Sequence, residues 1–287
     1  MKLKSTVVFV CMFSILAIIL SSTANAAHFV IDSIEDNSDT SIDGICNDEF
    51  GNCTLRAAIE EINEISASEV SDIVFALELG NTPSIHVLSA LPTITRTVTI
   101  NGGTSGGRVE IAGTDDGLIE YGLRFSNGNS IVSGLAINRF KEAGISFEGD
   151  GNILYETYVG TDITGTVALG THENAGVLLY GSHNIITRCV LSGNLGAGAR
   201  EVLYGVSINN TFSENYVGLD ASGEFSLGNE YEGIEVKGYQ SLITRNYFAG
   251  IDGDEDALEN GEVALAVDLK MGGGHTVSDN IIGTDIT

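Results

Sequence analysis

The sequence predicts an all-β fold: a right-handed parallel β-helix, closed at its start by a capping helix. Three observations carry this. First, "GTDITGTVALG" (160–170) returns as "GLDASGEFSLG" (218–228), 58 residues later. Gly160, Asp162, Gly165, Leu169 and Gly170 align with Gly218, Asp220, Gly223, Leu227 and Gly228, and "YVG" leads into both copies. A third copy opens at "NIIGTD" (280–285), and a divergent one, "NYFAGID" (246–252), lies between. Second, the stretch "HNIITRCVLSGNLGAG" into "YGVSIN" lies between the two full copies, so the 58-residue unit reads as two coils of roughly 30 residues. Fixed periods of 20–50 residues mark solenoids. Third, "GISFEG", "GVLLY", "GVSIN", "GIEVK" and "ALAVDL" are short, alternate in and out, and are bounded by Gly or Asn. That is the pattern of strands separated by turns. No helical period appears after about residue 70. Parallel strands joined by crossovers take the right hand.

Residues 1–26 read as a secretory signal peptide. Lys2 and Lys4 start it, Val7 to Leu20 is apolar and uncharged, and Ala24-Asn25-Ala26 is the cleavage box. The apolar run is 14 residues long, short of the 20 or so that span a bilayer, and no later segment approaches that length. The mature chain is therefore expected to carry no transmembrane segment and to be secreted, extracellular or on the cell surface.

Residues 27–70 form the start of the mature chain. "FVIDS" (29–33) reads as a strand and an acidic loop follows. In "CNDEFGNCTLRAAIEEINEI" (46–65), Leu55, Ala58, Ile59, Ile62 and Ile65 fall at helical spacing. Thr54 is the expected N-cap. A solenoid needs an atypical terminal unit over its raw end, and this helix is read as that lid. Cys46 and Cys53 are expected to form a disulfide in an exported chain.

Residues 71–287 are read as the coils. Gly160, Gly165, Gly170, Gly218, Gly223 and Gly228 are placed at sharp turns that call for positive φ. Asp162 and Asp220 are expected to cap their own turn backbones. Asn215, Asn246 and Asn280 hold equivalent positions where amides could stack, while Thr157 breaks the series in the first copy. Cys189 is left unpaired and is assigned to the interior. The chain ends on "GTDIT" (283–287), the five letters already used at 160–164. A β-helix has no natural stop within a coil, so the sequence is expected to be a truncated piece of a longer protein.

At "CTLRAAIEEIN" (53–63) the chain resembles the bacterial CSLREA-domain family, and "LPTITRTVTING" (91–102) and "GTDITGTVALG" also look like that family's recurring text. The resemblance implies a secreted or surface protein of pectin-lyase-like architecture. Thr54 stands for Ser, which keeps the cap; Ala57 stands for Glu, which removes half of a capping box. The resemblance supplies no catalytic residues.

Composition narrows the partners. The chain holds 13 basic and 39 acidic residues, a net charge of −26. Such a surface repels phosphate backbones, so nucleic acid and anionic membranes are excluded. Extracellular glycans or surface proteins are the partners expected.

Site candidates are few. Asp252, Asp254 and Asp256 alternate as at the start of a calcium loop, but Ala257 and Val263 stand where that loop needs Gly and Glu. Calcium is the one cofactor left open; none is otherwise expected. Asp115 and Asp116 are adjacent, which on one strand would point them to opposite sides. Arg188, Lys237, Arg245 and Lys270 are the available bases for a lyase. "GGGH" (272–275) only loosely matches a glycosidase motif, and "GGTSGGR" (102–108) reads as a turn. His86, His172, His183 and His275 lack metal-ligand spacing. There is no Trp to stack on sugar, though 9 Tyr could serve in part. The first expectation is a non-enzymatic adhesin-like or binding module; the alternative is a polysaccharide lyase or glycoside hydrolase. Three or more charged residues converging on one face of the tube would separate them.

Overall fold

The structure, a computed structural model, describes residues 26–65, 70–77, 83–103, 107–202, 207–250, 266–270 and 272–283. Three parallel sheets wrap one core. They contain nine, eight and six strands, and each strand pairs with its counterpart one coil earlier and one coil later. This is a parallel β-helix with one helix, Leu55–Glu64, among the described residues.

The register explains the sequence period. In the nine-stranded sheet Ile153 pairs with Ile185, and Ile185 with Thr211, rises of 32 and 26 residues. Together they make the 58-residue repeat. The longer rise carries an extra hairpin, closed by antiparallel bridges from Thr161 to Ala168 and, one repeat on, from Leu219 to Ser226. Only alternate coils carry it, which is why the eye catches every second one. The two hairpins touch across the plain coil between them: Ala221 N donates to Gly165 O at 2.9 Å.

Alternation fills the tube. Leu154, Ile186, Phe212 and Ile243 from one sheet meet Val159, Leu191, Val217 and Phe248 from the second and Ile145, Phe147, Val177 and Ile234 from the third, all buried in one cluster. Burying such a side chain stabilises by about 1.5–3 kcal/mol.

Buried amides stitch the corners. Asn215 Nδ2 donates to Asn246 Oδ1 at 2.9 Å, and Asn246 Nδ2 to Asn280 Oδ1 at 3.0 Å. Above them the column continues through Cys189, whose backbone N donates to Asn215 Oδ1 at 2.9 Å. Cys189 is buried, and burial pushes its thiol up to about 12. A second column, Asn152, Asn184 and Asn210, runs along the other corner of the nine-stranded sheet.

Next to these amides the chain turns through left-handed residues. Glu156, Arg188, Glu214, Arg245 and Asp279 line one corner with φ of 49°, 53°, 59°, 55° and 58°. None of them is Gly, and no turn signal in the sequence marks them. Of the glycines singled out, Gly160, Gly165, Gly218 and Gly223 do take positive φ. Gly170 and Gly228 are a correction, since neither is among the positive-φ residues. Gly170 is required for space instead: a Cβ there would lie 2.0 Å from Gly193 O. Asp162 Oδ1 accepts from Thr166 N and Val167 N, and Asp220 Oδ1 from Glu224 N and Phe225 N, so both cap their turns. Burial works to raise the Asp162 carboxyl, but the bonds from Thr164, Val167 and Thr166 outweigh it and hold it below its usual range.

The helix closes the first coils. Thr54 caps it by accepting from Ala57 N at 3.0 Å. Leu55, Ala58, Ile59 and Ile62 join the core beside Ile31 and Ile73. The strand His28–Ile31 is the first of the nine-stranded sheet, so the lid is continuous with the tube. The Cys46–Cys53 disulfide is formed, with an S–S distance of 2.00 Å. Helical spacing alone did not show two charged residues on the buried side. Arg56 pairs with Asp36 at 2.8 Å and donates to Ala90 O and Ser89 O, and Glu61 accepts from Asp43 N and Gly44 N. The lid thereby grips both the disulfide loop and the segment 88–90.

Candidate functional site

The outward row of the six-stranded sheet carries the densest charge. Leu123, Ile145, Val177 and Ile234 face the core, so their strand neighbours Arg124, Ser146, Leu178 and Glu235 face away. Pairing puts Arg124, Ser146, Leu178, Arg200, Glu235 and Asp268 in one register row. At its far end Glu232, Glu235 and Asp268 gather around Arg200, Lys237 and Lys270.

This cluster is internally neutralised. Lys270 Nζ lies 3.1 Å from Glu232, 3.2 Å from Glu235 and 3.3 Å from Asp268. Lys237 Nζ reaches Glu235 at 2.8 Å, and Arg200 contacts both Glu235 and Glu232. Burial works to raise the Glu235 carboxyl, but the contacts from Lys237, Arg200 and Lys270 outweigh it and hold the group below its usual range. Burial likewise pulls at Lys270, yet Glu232 and Glu235 outweigh it and push the amine above its usual range. A proton-abstracting base needs the opposite shift, toward neutrality. The three carboxylates lie close enough to share a cation, within 4.8 Å. Lys270 already contacts all three, so its ammonium stands where an ion would go.

At the near end, Arg124 pairs with Glu148 at 2.5 Å and lies 5.1 Å from the Tyr121 ring. Ser146 Oγ is buried there without a hydrogen-bond partner. Burial raises the phenols of both Tyr121 and Tyr180.

The candidates from the sequence are distributed unevenly. Lys237 and Lys270 enter the cluster. Arg188 and Arg245 sit on the left-handed corner instead, paired with Glu156 at 3.4 Å and Glu214 at 2.9 Å. Asp115 and Asp116 lie on a turn, not on a strand, so the opposite-sides argument does not apply; Asp115 pairs with Arg139 at 2.8 Å. His275 of the "GGGH" stretch is structural: its Nδ1 accepts from Ser241 N at 3.2 Å. Asp252, Asp254 and Asp256 lie outside the described residues. Arg200, Glu232, Glu235 and Asp268 were not singled out from sequence. Aligning "GIEVK" with "ALAVDL" would have found two of them, because Glu235 and Asp268 hold the same outward position.

Comparison with known proteins adds little. No family model matches the chain, so the CSLREA resemblance rests on the quoted residues, and no curated protein matches either. Among solved structures, the chain aligns with the crystal structure of pectate lyase Pel9A at 11% identity, over 90% of this chain and 80% of that one. The TM-score is 0.35, and nothing about activity follows from it.

Proposed function

We propose that this chain is an exported, non-enzymatic β-helix that works as a binding or structural module at or beyond the cell surface. The supporting observation is the state of the charged cluster. Six charged groups converge on one face, as an enzyme would require. They spend their charge on one another, however, and Lys270 is held protonated. Regular outer faces on a rigid shaft suit recognition by extended contact, and the acidic composition suits extracellular glycans or surface proteins over nucleic acid.

The competing reading is a polysaccharide lyase or glycoside hydrolase. The convergence of Arg200, Lys237 and Lys270 with Glu232, Glu235 and Asp268 is what favours it. Incubation with a panel of acidic and neutral polysaccharides, with and without calcium, separates the two. New reducing ends and ultraviolet absorbance of unsaturated products are followed. No turnover is expected. Turnover that vanishes in Lys270→Ala or Glu235→Gln would overturn the proposal.

A further inference from the structure

Far from the charged cluster, a cavity of about 270 Å³ opens beside the eight-stranded sheet, lined by His86, Val87, Leu88, Gly113, Thr114, Asp115 and Arg139. Its floor exists because position 113 has no side chain. A Cβ there would meet Arg139 O at 2.2 Å. Arg139 itself is held in the left-handed region, φ 61°, a conformation that costs about 1–3 kcal/mol and gathers at functional sites.

The guanidinium is oriented before any ligand arrives. Nε donates to Asp115 Oδ1 at 2.8 Å, Nη1 donates to Asn138 Oδ1 at 3.0 Å, and Glu110 lies 3.8 Å away. Asn138 is fixed in turn by donating to Glu110 Oε1 at 2.7 Å and Thr161 O at 2.9 Å. Thr114 adds a hydroxyl that is buried without a hydrogen-bond partner. His86 is exposed on its strand and contributes an imidazole edge. Leu88, 75% exposed, gives an apolar wall. That wall is braced by the lid: Leu88 N donates to Asp36 Oδ2, the carboxylate that pairs with the buried Arg56.

We propose that this cavity is a binding site for a single neutral sugar residue, presented as a glycan terminus or side branch. The choice follows from the groups present. One guanidinium faces two carboxylates, Asp115 and Glu110, so local charge disfavours an anionic ligand. Donors and acceptors alternate around the rim, as a polyhydroxylated ring requires. The apolar wall fits the C–H face of such a ring. The volume lies below the range of drug-sized pockets, about 300–1,000 Å³, and suits one ring. This assignment rests on the binding-module reading and names the ligand class for it.

The test is saturation-transfer NMR and calorimetry on the full chain. The probes are neutral monosaccharides (glucose, galactose, mannose and N-acetylglucosamine) with galacturonate as the anionic control. Saturable binding of at least one neutral sugar is expected, with galacturonate at least tenfold weaker. His86→Ala and Leu88→Ser, both at exposed positions, should weaken binding about tenfold with unchanged thermal unfolding. Thr114→Val should weaken it further while preserving side-chain shape. Absence of any saturable neutral-sugar binding overturns the proposal. So does binding that all three variants leave intact, or a preference for galacturonate. None of these outcomes requires turnover, so the pocket can fail while the non-enzymatic reading stands.

Discussion

Replacing Asn246 by Ala removes one link from the corner column of amides, and its cost can be worked from the contacts. Asn246 Oδ1 accepts from Asn215 N at 3.0 Å and from Asn215 Nδ2 at 2.9 Å, while its Nδ2 donates to Phe212 O at 3.0 Å. Asn246 and Asn215 are both fully buried. The substitution therefore strands two donors and one acceptor away from water. An unsatisfied buried group costs about 1–3 kcal/mol. Taking the low end, because a small void can admit a water molecule, the loss comes to about 3 kcal/mol. In urea, with an m-value near 3 kcal/mol/M, the midpoint should fall by about 1 M. With no Trp in the chain, tyrosine fluorescence and far-ultraviolet circular dichroism are the two probes, and their coincidence tests whether unfolding is two-state. Asn280→Ala is the internal comparison. Asn280 makes the same kind of bonds but is only half-buried, so water can replace them and the loss should be less than half as large. A midpoint shift below about 0.3 M for Asn246→Ala, or equal shifts for the two variants, would refute the claim that the amide column holds the coils in register.

Three further outcomes are expected. Arg56→Met should destabilise by about 3–5 kcal/mol, since it leaves Asp36 buried and uncompensated, and adding Asp36→Leu should recover much of the loss in the same urea assay. Reducing the Cys46–Cys53 bond should cost about 2–3 kcal/mol, measured as the urea midpoint with and without reductant, because the closed loop is short. Lowering pH should destabilise the chain through Asp48 and Asp162. Burial works to raise both carboxyls, but hydrogen bonds hold both below their usual range: for Asp48, chiefly from Asn37 and the backbone N–H groups of Asn52 and Phe50. Their contribution is thus complete above the unfolded value of about 3.9 and lost as pH falls through the folded values. Urea midpoints between pH 6 and pH 3 should fall, and Asp48→Ala should flatten that slope.

The repeat, the turn aspartates, the lid helix and the disulfide were all legible in the residues, since each depends on local chemistry at fixed spacing. The left-handed corner was not. Arg188 and Glu214 carry no turn signature; their φ is imposed by coils stacked above and below. The lid's buried Arg56 looked like a solvated charge on a helix because Asp36 and the 88–90 carbonyls come from distant parts of the chain. The charged face was hidden for the same reason. Lys237 and Lys270 could be proposed singly, but only pairing across strands brings Arg200, Glu232, Glu235 and Asp268 to them. His86 and Asp115, weighed apart in the sequence, meet at the Arg139 cavity through strand pairing that places His86 beside Ala112.

The step from the nine-stranded to the eight-stranded sheet never changes length: Ile153 to Tyr158, Ile185 to Val190, Thr211 to Tyr216, Leu242 to Tyr247 and Thr276 to Ile281 are each five residues. All variation in coil length falls elsewhere, above all in the hairpins at 160–170 and 218–228. The molecule thus separates a metronome from a melody: one edge keeps time, and the opposite side is free to accept new inserts. Grafting foreign peptides at those hairpin tips should leave the shaft intact, whereas a single residue added at the timekeeping edge would throw every later strand out of phase.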